Sequence, residues 1–155
     1  MQKRAMPMGL RTPPSHILTE EEIARLKEEA VSIGVPLEKL IFNQGARTGF
    51  RDRNAMIYIR GDVLPDTESL IARDRMSSRA VLAHEYYGHC KNHPSEYEPG
   101  DWRDEFRASY DAAVRTPNLT DEERAQLMID AYDRAKEAGT FTGYDETARR
   151  ILYGR

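Results

Sequence analysis

The chain has 155 residues, 39% hydrophobic and 32% charged, with a formal net charge of −3. That length suits one domain around one core. No apolar run approaches the ~20 residues of a membrane span, and the charge gives no electrostatic reason to expect a nucleic-acid partner. A single cysteine, Cys90, rules out an intramolecular disulfide framework, so packing or a metal must hold the fold.

Residues 1–18 carry Pro7, Gly9, Pro13 and Pro14 without periodicity and read as an irregular N-terminal arm. The charged start is not followed by an apolar stretch, so it does not read as a secretory signal. The expected setting is the cytoplasm, or delivery by a route independent of a signal peptide. Residues 19–155 read as a single domain. Thr19 and Glu22 form a capping box for a first helix, with Ile23, Leu26, Ala30 and Ile33 at helical spacing and Gly34 closing it. A connection through "PLEKLIFN" and a polar loop, "NQGARTGFRDRN", lead to "AMIYIRG", the clearest strand. "DVLPDTESLIARDR" suggests a turn and a short helix.

Ser77 or Ser78 caps the next predicted helix, "RAVLAHEYYGH", and Pro94 with "SEYEPGD" forms a loop. Asp101 caps "WRDEFRASYDAAVR", whose large residues Trp102, Phe106 and Tyr110 lie along one side. Thr120 with Glu123 makes a second capping box for a helix whose apolar face is Leu127, Met128, Ala131, Tyr132 and Ala135. A short helix around "ETARRILYG" follows. The outline is an α+β domain, helix-rich with a small sheet.

Three of the four histidines fall in "SSRAVLAHEYYGHCKNH". A hydrolytic zinc site needs three protein ligands, an open position and a base for the water's proton. His84 and His89 supply imidazoles, and Glu85 stands beside the first as the base. Their spacing is five, which on a regular α-helix turns them ~140° apart. A π-bulge or a loosened last turn can absorb the extra residue, and Gly88 offers backbone freedom there. The sequence therefore predicts a distortion at Tyr87–His89.

"HEYYGH" resembles the H-E-x-x-G-H variant of the zincin motif found in the dipeptidyl peptidase III family. Zincins of this gluzincin type take a third ligand from a glutamate on a following helix, which in the dipeptidyl peptidase III family lies in a stretch of the form E-E-x-R-A-E. "DEFRAS" at 104–109 is similar, with Asp104 for the first acid and Ser109 for the last, and the resemblance implies Glu105 as the ligand. More loosely, the whole chain resembles zincin-like domains of bacterial polymorphic toxins and phage-linked proteins. The resemblance implies a Zn2+-dependent metallopeptidase acting on a peptide or protein substrate; charge and the lack of a long apolar run give the expectation of no nucleic-acid or membrane partner. Its metal ligands would be His84, His89 and Glu105, and its catalytic base Glu85.

The residues themselves support Glu105 separately, because Glu105, Ala108, Ser109 and Ala112 share a helix face whose small members permit a close approach. Other ligand sets remain open. His93 lies four after His89, though Pro94 disfavours helix there; Glu85 and His89 are four apart; Cys90 is a soft donor but more often a small buried hydrophobe. Tyr86 and Tyr87 are expected on the cleft wall. Tyr110, Tyr144 and Arg107 are candidates to stabilise an oxyanion, and Arg79 or Asp74 to orient a ligand. "AMIYIRG" reads either as an ordinary core strand or as a cleft edge for an extended peptide. The alternatives to a hydrolase are a non-catalytic zincin-like binding module and a purely structural metal.

Overall fold

The computed structural model describes residues 11–154. Capping chemistry sets most of the helix starts. Helix α1 (Glu20–Ser32) opens on the complete Thr19–Glu22 capping box, and α4 (Asp121–Glu137) on that of Thr120 and Glu123. Helix α2 (Ser78–Ala83) starts at Ser77, whose Oγ accepts the Ala80 N–H at 3.0 Å; α3 (Trp102–Arg115) starts at Asp101, and α5 (Glu146–Tyr153) at Asp145. Gly34, at φ +79°, ends the α1 region in the left-handed conformation that glycine adopts without steric cost.

Three short strands form one mixed sheet: β1 (Leu40–Phe42), β2 (Gly49–Arg51) and β3 (Met56–Ile59), in the order β1-β3-β2. β3 pairs parallel with β1 and antiparallel with β2. The "AMIYIRG" strand is thus the central one. Its Ile57 and Ile59 are fully buried, the core-strand alternative. The edges are β1 and β2, and β2 lies inside the stretch that reads as a loop. "GFR" has no buried residue and no β-branched one, so nothing local marks it as a strand. "DVLPDTESLIARDR" contributes two 3-10 turns, Gly61–Val63 and Ala72–Arg75.

The core is aliphatic. Leu26 and Ala30 of α1, Ile33 at its C-cap, Leu82 of α2, Leu127 and Met128 of α4 and the β3 isoleucines are inaccessible to solvent. Each large side chain among them contributes roughly 1.5–3 kcal/mol relative to exposure, which explains how the domain holds without a disulfide. Residues 11–18 contain no helix or strand but are tied to the domain. The Arg11 guanidinium donates to the carbonyls of Asp62, Val63, Arg73 and Met76, and Leu18 is buried. The rest of the arm, residues 1–10, lies outside the described residues. Among the described residues no helix is long and apolar enough to cross a membrane.

Candidate metal centre

Helix α2 runs without a break into a π-helical segment, His84–His89, that coincides with "HEYYGH". The Cys90 N–H reaches the Glu85 carbonyl, five residues back. In that hydrogen-bonding pattern residues five apart stack one turn above another, so His84 and His89 share a face. The distortion predicted at Tyr87–His89 is therefore larger than its minimum and takes in the whole motif. Gly88 serves it in a different way from the one its sequence position suggests. Its φ is not positive. A Cβ there would lie 2.7 Å from the Ala108 C and Cα atoms, so hydrogen is what lets the segment press against the α3 backbone. Ala108, Ser109 and Ala112 are all fully buried in that contact.

The close approach brings three ligand atoms into a small triangle. His84 Nε2 lies 3.0 Å from Glu105 Oε1 and 3.2 Å from His89 Nε2, and the third edge, His89 Nε2 to Glu105 Oε1, is 3.4 Å. Ligands ~2.0–2.1 Å from one tetrahedral ion stand ~3.3–3.4 Å apart, so the triangle fits a zinc-sized cation within a few tenths of an ångström. The donor set also suits that ion, being two imidazole nitrogens and one carboxylate oxygen. His84 is not idle, as the Glu85–His89 pairing would require. Glu85 is buried beside the triangle, and one of its oxygens, with nitrogens of His84 and His89, fits within a 4.8 Å span. Its Oε1 accepts the Phe50 N–H of edge strand β2 at 3.0 Å.

Each imidazole is oriented from behind. Ser109 Oγ lies 2.7 Å from His84 Nδ1 and 2.6 Å from Asp130 Oδ2. A serine has one proton to give, and the carboxylate can only accept, so Ser109 donates to Asp130 and His84 Nδ1–H donates to Ser109. This fixes the tautomer that leaves His84 Nε2 free to bind a cation. Asp130 is buried, which opposes its charge, but the Arg134 and Arg73 guanidiniums, with the Ser109 hydrogen bond, hold its pKa below the usual value. Arg73 Nε is 2.6 Å from its Oδ1. His89 Nδ1 faces Asp104 Oδ2 at 3.4 Å, and Phe50 stacks parallel to the His89 ring. Asp104 is itself held by Ser95 and Arg107.

The charges converge accordingly. Burial raises the Glu105 carboxyl, but in the metal-free site hydrogen bonds from imidazole Nε2–H groups, that of His84 when this nitrogen also carries a proton and that of His89, outweigh it and hold the group well below the ordinary carboxylate range. Burial disfavours a charged His89, yet the Glu105 hydrogen bond and the fields of Glu85, Glu105 and Asp104 push it up to about 9. In the metal-free site a proton on His89 thus supplies the positive charge that the acids demand.

Several expected participants sit elsewhere. His93 is extended, with ψ 137°, and its Nδ1 is 3.8 Å from Asp52 rather than in the triangle. Cys90 packs half-buried against the core, its Sγ 4.0 Å from the Ala55 carbonyl. Tyr87 donates to the Ile33 carbonyl, and neither it nor Tyr86 lines the cleft. Tyr110 and Tyr144 line a second cavity on the far side of α3, and Arg107 is spent on Ser95 and Asp104. Arg79 clamps Glu123, Ser32 and Asn118, and Asp74 accepts from Ser69. The cation beside the triangle is Arg134, whose Nη2 is 3.8 Å from Glu105 Oε1. Neither Asp130 nor Arg134 stood out in sequence, although their i,i+4 spacing in a charged helix was visible. The triangle opens into a cleft of about 820 Å³ bounded by β2, the π-helical segment, α3 and α4.

No family model, curated protein or solved structure matches the chain.

Proposed function

We propose that this protein is a zinc-dependent hydrolase of peptide bonds, with His84, His89 and Glu105 as the metal ligands. The observation that carries the reading is the triangle of ligand atoms at 3.0, 3.2 and 3.4 Å, which opens onto a cleft on its remaining side. When bound there, zinc supplies Lewis acidity that polarises a carbonyl and lowers the pKa of water towards neutrality. Glu85, held by the Phe50 N–H, accepts the water's proton and returns it to the departing amine. Arg134 offers N–H donors to an oxygen that gains negative charge. Ser109 and Asp130 hold His84 in its metal-binding tautomer throughout, and the Asp104 carboxylate stands against His89 Nδ1, where its charge favours a proton on that nitrogen.

A purely structural metal would call for a closed four-ligand shell, and the remaining soft or imidazole donors, Cys90 and His93, face other partners. The expected result is one zinc per purified chain by elemental analysis, lost in His84→Ala and kept in Glu85→Gln. Hydrolysis of a quenched-fluorescence peptide library should fall by about 10²–10⁴ in Glu85→Gln. Wild-type protein without zinc, or full activity in Glu85→Gln, rejects the reading.

A further inference from the structure

Of the charged residues that line the cleft, six are arginines: Arg11, Arg47, Arg51, Arg53, Arg73 and Arg134. Three already face partners within the protein: Arg11 donates to backbone carbonyls, Arg73 pairs with Asp130 and Glu137, and Arg134, the oxyanion donor of the proposed reaction, stands between Asp130 and Glu105. The other three lie on "RTGFRDR", the β2 edge and its flanks, and none is within ion-pair reach of a carboxylate among the described residues. The one acid in that run, Asp52, faces His93.

Arg51 is held in place without a counter-ion. Its guanidinium lies over the Tyr58 ring, 5.1 Å from the centroid, and its Nη2 donates to the Arg47 carbonyl at 3.3 Å. Two glycines leave room for it: a Cβ at Gly49 would lie 3.0 Å from Arg51 Nη1, and one at Gly45 would lie 3.4 Å from Nη2. A cation pinned by packing, and left unneutralised at the mouth of a cleft, is preorganised for an anion from outside. The whole chain is net negative at −3, and acids line the cleft too, but Glu85, Asp104, Glu105 and Asp130 belong to the triangle and its supports and Asp62 accepts the Thr48 N–H. A local cationic rim on such a background focuses an anionic ligand onto the cleft rather than onto the surface at large.

We infer that the cleft selects acidic peptides, with Arg51, flanked by Arg47 and Arg53, receiving carboxylate side chains of the substrate. The inference rests on the hydrolase reading for its site, but its test reads binding. The probe is a fluorescein-labelled octapeptide of alternating Glu and Ala, with Gln/Ala and Lys/Ala counterparts, titrated by fluorescence anisotropy against zinc-loaded Glu85→Gln protein. The Glu peptide should bind about tenfold more tightly than the Gln peptide at low ionic strength, with the gap closing in high salt. Arg47→Glu/Arg51→Glu/Arg53→Glu should invert the preference towards the Lys peptide, while the triple Lys variant keeps it. Equal binding of the Glu and Gln peptides, no binding of either, or displacement of the Glu peptide by oligothymidylate at equal charge overturns the inference. Wild-type cleavage without charge preference defeats it and leaves the hydrolase reading standing. Charge-selective binding without any cleavage by the zinc-loaded wild type does the reverse.

Discussion

The two long sides of α3 are built from different stock. Towards the π-helical segment it presents Glu105, Ala108, Ser109 and Ala112, and away from it Trp102, Phe106 and Tyr110. The small side allows backbone-to-backbone contact at Gly88, and the short distance turns polar groups into a convergent site. The aromatic side meets Tyr132 of α4, with Phe141 and Tyr144 beyond, in a network of edge-on rings around a cavity of about 880 Å³. There the helix is held by bulk, and the charged groups at the cavity, such as Asp145 and Lys136, pair with tyrosine hydroxyls rather than with one another. Side-chain size on one helix thus decides where chemistry is possible, because a carboxylate reaches an ion on a neighbouring helix only when the backbones are close.

Gly88→Ala attacks that distinction most directly. Its Cβ has no room against Ala108, and the helices must separate, at a cost of about 1–3 kcal/mol. Stoichiometric zinc should be lost with it; urea melts and elemental analysis on the same sample check both, and a variant that keeps its zinc would show the contact to be incidental. Next in size is pH. Below about pH 9 zinc must displace the proton on His89, so affinity should climb about tenfold per unit, roughly a hundredfold from pH 7 to 9, and flatten beyond. Competition against a chelator of known affinity reads the slope, and a flat profile contradicts the charge assignment. The same proton bears on metal-free stability. A folded pKa above the unfolded ~6.5 adds stability that is full below that value and lost as pH rises through about 9.

Ser109→Ala keeps the helix spacing but removes the link between His84 and Asp130. A loss of about 10–100-fold in zinc affinity is expected in the same chelator competition. An unchanged affinity would mean that the tautomer is set in some other way. On the aromatic side, Phe106→Leu should cost about 1 kcal/mol in a urea melt and leave zinc affinity where it was. A matching drop in affinity would show that the two sides of α3 are coupled.

Some of the site is written locally. The motif residues His84, Glu85 and His89 mark a candidate metal site by type and order, and the small-residue face of 105, 108, 109 and 112 marks Glu105 as able to reach them. The orienting groups leave no such trace. Asp130 sits among other acids on α4 and looks like any solvated charge; only the packing of α4 on α3 buries it behind Ser109. The misplaced cleft residues have the same origin. Tyr86 and Tyr87 are next to the histidines in sequence, but the π-helical turn sends them towards α1 and the core. Tyr110 is one residue from Ser109 and faces the other cavity.

By itself the sequence determined where α1, α2, α3 and α4 begin, which helix faces are apolar and the α+β class. Those features depend on side chains bonding to backbone within three or four residues and on the 3.6-residue period. Tertiary structure alone decided that β2 is the strand beside Glu85, that "HEYYGH" is π-helical along its length, and that Asp130 and Arg134 join the candidate site. These depend on distances between elements far apart in the chain, fixed by contacts such as Gly88 on Ala108 that no local pattern records.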